Sequence, residues 1–250
     1  MPTPSSTPSP LLTSPRLTSP RLTTPRLTTA LLATLMLAIA CDQAPDIPQS
    51  GQAPAATTAS ADDDTTGLRG GQLIYKDTFD GSAPGESWQS GYGGWKIEEG
   101  RLRIAGAKND ALWLQTPLPE NFRVSFEATA LSEVGDLKFE ILGDGQTHES
   151  GYIGIFGGWN NSLNIIARLD EHGDDRLVGA RGQKVEPERT YTFTIVRTDK
   201  RLRWFVDGKP FLTYADEAPL QGEGHRYFAF NNWQAPAAFD NLEIYDLGAH

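Results

Sequence analysis

The sequence predicts an all-β protein, an antiparallel sandwich or barrel, preceded by a long N-terminal region that has no part in its core. Three observations carry this. The chain of 250 residues holds 25 Gly and 17 Pro beside an aromatic content of 10%, and turn-formers mixed with that many rings favour short strands over a helical bundle. Every aromatic side chain lies at or after Tyr75. No stretch beyond that point shows an apolar period of 3.6, whereas two-residue alternation between turn signals recurs to the end.

The N-terminal region divides in two. Residues 13–29 repeat Thr-Ser/Thr-Pro-Arg-Leu, with a proline every fifth residue that stops both helix and sheet. They place Arg16, Arg21 and Arg26 ahead of the uncharged run Ala30–Ala40, which is too short to span a bilayer comfortably. That run ends Leu37-Ala38-Ile39-Ala40-Cys41, and Cys41 is the only cysteine of the chain. The segment resembles the lipobox of bacterial lipoproteins, in which the chain is cut before the cysteine and the thiol is acylated. The alternative is an ordinary signal peptide cut after Ala40. Residues 1–40 are therefore expected to be a lipoprotein-type signal. Residues 41–71, with Ile47 and Leu68 as their only sizeable apolar side chains, are expected to be a disordered tether. A single cysteine excludes an intrachain disulfide or a cysteine metal cluster.

From Gln72 to His250 the alternation places strands at 73–79, 95–98, 101–105, 111–116, 122–130, 135–142, 151–157, 162–170, 175–180, 190–198, 201–207, 210–214, 226–232 and 238–246. Turn pairs such as Glu99-Gly100 and Asp207-Gly208 separate them. Phe122, Val124, Phe126 and Ala128 share one face, as do Leu137, Phe139 and Ile141. On the next strand Leu163, Ile165, Ala167 and Leu169 are expected inside, with Asn164 and Arg168 facing solvent beside Asp136, Lys138 and Glu140. Phe126, Phe139, Ile165, Phe193, Trp204 and Phe239 are the expected core.

Four segments, Asp77-Thr78-Phe79-Asp80-Gly81, Gly94-Trp95-Lys96-Ile97, Leu202-Arg203-Trp204-Phe205-Val206-Asp207-Gly208-Lys209 and Phe239-Asp240-Asn241-Leu242-Glu243-Ile244, resemble the concanavalin A-like lectin/glucanase jelly rolls. Laminin-G-like modules and the bacterial keto-disaccharide hydrolase-like domain belong to that group. The resemblance covers residues 72–247. It implies two bent antiparallel sheets, with glycans bound on a concave face or its rim. In relatives a calcium ion often ties the first strand to the last, and that resemblance makes Asp77, Asp80 and Asp240 the candidate ligands for Ca²⁺.

The chemistry-bearing residues point to recognition more directly than to catalysis. The glucanases of this group carry Glu-x-Asp-x-(x)-Glu on one strand, and no such triplet occurs here. Asp136 and Glu140 would stand about 13 Å apart along a strand, beyond the roughly 5–9.5 Å of paired-carboxylate hydrolysis. His148 and His172 read as loop residues; either, with Arg168, would meet the needs of a lyase. Phe156-Gly157-Gly158-Trp159-Asn160-Asn161-Ser162 combines an apolar plate with paired donors and acceptors, which suits a sugar ring. The bland alternative makes Trp159 core and the asparagines turn caps. A second copy, Phe230-Asn231-Asn232-Trp233-Gln234, is expected at the opposite rim.

The expected ligand set is thus Trp159, Asn160, Asn161, Asn164, Arg168, Asp136, Lys138 and Glu140, with Trp159 stacking on a sugar and Arg168 pairing with a hydroxyl or an acidic sugar's carboxylate. A net charge of −10 argues against nucleic acid as a partner. The reading is a glycan-binding protein of the cell envelope, touching the membrane through a lipid anchor only. A glycoside hydrolase or polysaccharide lyase on the same fold is the alternative, and a structural or protein-interaction module is the third.

Overall fold

The computed structural model describes residues 65–179, 182–198 and 200–249. The signal region, Cys41 and the tether as far as residue 64 lie outside the described residues. Within them two antiparallel sheets pack face to face.

The larger sheet has eight strands: β1 (Gln72–Asp77), β3 (Lys96–Glu98), β4 (Arg101–Ile104), β6 (Phe122–Ala130), β11 (Thr190–Thr198), β12 (Arg201–Val206), β13 (Lys209–Ala215) and β15 (Ala237–Asp246). Its order is β13-β12-β11-β6-β15-β4-β3. One edge of β15 is shared in tandem, by β4 along Ala237–Phe239 and by β1 along Leu242–Asp246. The smaller sheet has seven: β2 (Trp88–Gln89), β5 (Leu112–Leu114), β7 (Leu137–Gly143), β8 (Tyr152–Gly157), β9 (Leu163–Arg168), β10 (Leu177–Val178) and β14 (Tyr227–Asn231). Its order is β10-β9-β8-β7-β14-β5-β2. The sequence anticipates every strand but β2, whose two residues are too few to show alternation.

The core lies where the two inner faces meet. Phe126, Phe193 and Phe239 from the larger sheet meet Phe139, Phe228 and Phe230 from the smaller. Phe126 stands within 5.2–6.3 Å of Phe139, Phe193, Phe228, Phe230 and Phe239, mostly edge to face. Such contacts add about 0.5–1.5 kcal/mol per pair beyond the burial itself. All six residues expected in the core are buried.

Two expectations are corrected. Residues 65–71 are not a free tether but a strap on the larger sheet. Arg123 Nη1 donates to the Gly67 carbonyl at 3.0 Å and Arg203 Nη2 to the Thr66 carbonyl at 2.8 Å. Backbone carbonyls hold this segment in place, so its lack of apolar side chains is no guide.

The second correction concerns β9. Ile166 points into the main core, while Ile165 and Ala167 turn outward and are buried with Ile153 and Ile155 of β8 in a separate apolar cluster. The apolar phase of the strand, Leu163, Ile165 and Ala167, faces outward, and the phase of Asn164, Ile166 and Arg168 faces the core, the reverse of what alternation alone predicts. Its partners settle the question, since Gly154, opposite Ile166, lies in the phase of Tyr152 and Phe156, which join the core.

Candidate functional site

The outer face of the smaller sheet is covered rather than open. On β7, Lys138 and Glu140 point outward, and Asn231 lies opposite Lys138 on β14. Three loops close over them. The loop after β7 brings His148, whose Nδ1 lies 2.7 Å from Glu140 Oε1, and Glu149, whose backbone N–H donates to Glu140 Oε2 at 3.2 Å. Asn231 Nδ2 donates to the same Glu140 Oε1. The loop after β9 brings Glu171, whose Oε2 is 2.8 Å from Lys138 Nζ. The loop before β5 brings Asn109, whose Oδ1 accepts from Lys138 Nζ at 2.9 Å. His148 Nε2 stands 3.8 Å from Glu171 Oε2, which joins both halves into one polar network. Buried charges persist only when paired and hydrogen-bonded in this way.

Beside this network lies a cleft of about 480 Å³. Lys138 and Ile155 belong to its lining, with Asn109, Asp136, Glu171 and His172. Val134, Trp159 and Trp233 complete it on the apolar side. These three are 41%, 37% and 47% exposed. Among the described residues only five large apolar side chains are exposed, so three of them meet at one place. Clustered exposure of this kind marks a binding surface, whereas scattered apolar residues do not.

Trp159 reaches the cleft through an unusual turn. Trp159, Asn160 and Asn161 all have positive φ, at 49°, 59° and 58°. The left-handed region costs an L-residue such as Trp roughly 1–2 kcal/mol, and such residues persist where neighbours over-determine them. Asn161 does this here. Its Nδ2 donates to the carbonyls of Glu133 (3.0 Å) and Val185 (2.8 Å), and its Oδ1 accepts the Val185 N–H at 2.9 Å. Gly157 makes the approach possible, since a Cβ there would sit 2.6 Å from Val185 Cγ2. The glycine thus admits the protein's own chain. The Trp159 ring is set edge-on to His172, with centroids 5.5 Å apart, and lies 5.2 Å from the Arg176 guanidinium.

Two carboxylates in the cleft are pushed in opposite directions. Burial lifts Asp136 above its ordinary value, against the charge of Lys138 and the Trp233 N–H that its Oδ2 accepts at 2.9 Å. Burial also pushes Glu171 upward. There the charge and hydrogen bond of Lys138, with His148 and Asn109, outweigh it and hold the group below its ordinary value.

Of the ligand set read from the sequence, the structure brings Asp136, Lys138, Trp159 and Asn160 to the cleft. Glu140 lies behind it, fully buried against His148. Asn161 and Asn164 are internal struts; Asn164 Oδ1 accepts the Gly157 N–H at 2.9 Å and its Nδ2 donates to the Gln183 carbonyl at 2.9 Å. Arg168 is on the wrong face for the cleft, because β9 is inverted relative to the expectation. Its Nε donates to Asp216 Oδ2 at 3.0 Å. Trp233 does not sit at an opposite rim but lines the same cleft as Trp159. Asn109 and Glu171 had no signal in the sequence beyond a turn and an acidic loop.

The calcium expectation does not fit. Asp77 Oδ1 accepts the Phe79 N–H and its Oδ2 accepts Trp88 Nε1–H, both at 2.9 Å, so both oxygens are engaged. Among the described residues no three His, Cys, Asp or Glu side chains are grouped to hold a metal. A second cleft of about 500 Å³, near Leu118, Arg197 and His225, has no exposed aromatic. Arg197 there donates to the carbonyls of Glu120 and Leu220.

Two packed antiparallel sheets in this order have many counterparts among solved structures. The fold is a concanavalin A-like jelly roll. A structure from a study of endo-acting O-glycanases of the human gut microbiota matches with a TM-score of 0.55 at 16% identity, covering 71% of this chain and 100% of its own. The laminarinase of Flavobacterium sp. UMI-01 matches with 0.54 at 13% identity, covering 70% and 100%. The carbohydrate-binding module CBM66 of Bacillus subtilis matches with 0.51 at 16% identity, covering 64% and 96%. At such identities the jelly roll shares its architecture with these proteins and nothing finer. No family model and no curated protein matches the sequence.

Proposed function

We propose that this jelly-roll domain recognises a glycan in the cleft between Trp159 and Trp233. The observation that carries the reading is the pairing of these two exposed rings around a polar floor in a cleft of about 480 Å³. A pyranose offers an apolar face to an indole and hydroxyls to polar groups. Asp136 Oδ1 and the amides of Asn160 and Gln234 make no hydrogen bond among the described residues, so they are available to hydroxyls. The glycan partners named for proteins of the same fold agree with this reading.

The test is a glycan array probed with the purified protein, followed by titration of any hit against Trp159→Ala. Loss of about 1–3 kcal/mol of binding is expected, in the range of stacked rings on aromatic residues. An unchanged affinity in a folded variant places the site elsewhere.

A second reading, hydrolysis, is favoured by one observation: Asp136 and Glu171 share a cleft and are displaced in opposite directions. Divergent carboxyls of this kind are how an acid and an ionised partner are told apart. Release of reducing ends from a bound glycan, abolished in Asp136→Asn, would establish it.

We further propose export and lipid anchoring through Cys41, which rests on the lipobox-like Leu37–Cys41 segment alone. Cys41→Ala should move the protein from the membrane to the soluble fraction.

A further inference from the structure

We infer that the cleft takes uncharged sugars and excludes sugars that carry a carboxylate; this rests on the glycan-binding reading above. Lys138 is the cation on the cleft floor, and it is 2% exposed. Two of its three donors are committed, one to Glu171 Oε2 at 2.8 Å and one to Asn109 Oδ1 at 2.9 Å. His172 stands with its Nε2 3.7 Å from Glu171 Oε1, so its ring is turned to that same carboxylate. Arg176 is turned to the Trp159 ring and donates from Nη1 to the Glu171 carbonyl at 3.0 Å. Arg168, which the sequence offers as the partner of an acidic sugar, is tied to Asp216 away from the cleft.

What is left for a ligand is therefore acceptor-rich, and each of these cations already has a partner in the protein. Asp136 lines the cleft with Oδ1 unbonded, and Glu171 lines it with its charge already answered by Lys138. A sugar hydroxyl can donate to Asp136 and exchange bonds with the Asn160 and Gln234 amides. A sugar carboxylate would lose its hydration and meet the acceptor oxygens of Asp136 instead. Discrimination of this type works by repulsion as much as by attraction.

The experiment compares matched β-1,4-linked oligosaccharides by titration calorimetry on the purified protein. Cello- and manno-oligosaccharides are the uncharged members, and oligoglucuronate and oligomannuronate are the acidic ones of the same linkage and length. The expected result is that an uncharged member binds and its acidic counterpart binds at least about tenfold more weakly. Glu171→Gln, which leaves Lys138 without its counter-charge, should narrow that ratio. Asp136→Asn should narrow it as well, by a route that keeps the Lys138 pair intact. An acidic member that binds as tightly as its uncharged counterpart overturns the inference and leaves the glycan reading standing. If neither class binds here and the glycan array gives no hit, the glycan reading is overturned and this inference falls with it.

Discussion

The turn at Trp159–Asn161 and the turn at Asn231–Trp233 carry nearly the same side chains and reach the same cleft, yet only the second leans on carboxylates. The first is anchored by neutral bonds, with the Asn161 carboxamide joined to the backbone of Glu133 and Val185. The second has neutral bonds too, with the Asn232 carboxamide joined to the Ala107 N–H and the Ala235 carbonyl, but it is also anchored to charge. Asn231 donates to the buried carboxylate of Glu140, and the Trp233 N–H donates to Asp136. Two tryptophans can thus be presented at one site by a strained turn with neutral supports or by a relaxed strand end leaning on carboxylates. The neutral anchor should be insensitive to pH and costly to cut. The charged one should respond to whatever disturbs its carboxylates.

The largest effect is expected at the charged anchor. Glu140→Ala removes the acceptor shared by Asn231, His148 and the Glu149 N–H, and breaking such a buried pair costs about 3–5 kcal/mol. Calorimetric melting would show it, and a loss below about 1 kcal/mol would mean that Glu140 does not hold this turn. Asn161→Ala comes next, at about 3 kcal/mol for three bonds to buried backbone. Its cost should be the same at pH 5 and pH 8; a strong pH dependence would dissolve the contrast between the two turns.

A smaller difference separates the rings themselves. Trp159 is held by His172, Arg176 and its fixed turn, whereas Trp233 is the more exposed. Preorganised groups bind at lower entropic cost, so Trp159→Ala should weaken a bound glycan by about 1 kcal/mol more than Trp233→Ala. Equal losses would show that rigidity of the turn is irrelevant to binding.

The smallest effect concerns pH. A carboxyl raised in the folded state contributes stability below its unfolded value, and that contribution is lost as pH rises through the folded value. Asp136 is such a group. Asp136→Asn should accordingly raise the melting temperature at pH 7 relative to pH 3. Glu171 has the opposite sign. Its contribution is present above the unfolded value and lost as pH falls through the lowered one, so Glu171→Gln should flatten the acid limb of the stability curve. If Asp136→Asn changes stability equally at both pH values, burial is not what governs that carboxyl.

Every strand but β2, most of the core and the two Trp-Asn turns are legible in local alternation and motif. Alternation is a local property, and in β6 and β7 only one phase is apolar, so Phe126 and Phe139 could point only inward. The fold class followed from repeating that pattern between turn residues. Tertiary structure alone decided the rest. In β9 the apolar phase is Leu163, Ile165 and Ala167, yet pairing with β8 turns Ile166 to the core instead and carries Asn164 and Arg168 away from the cleft. Asn109, Glu171 and His148 converge on Lys138 and Glu140 from three loops far apart in the chain, and no spacing rule connects them. The same long-range folding brings Trp233 beside Trp159. A buried polar network of this kind is selected by which partners the sheets bring within bonding distance, and that is a property of the assembled sandwich rather than of any segment.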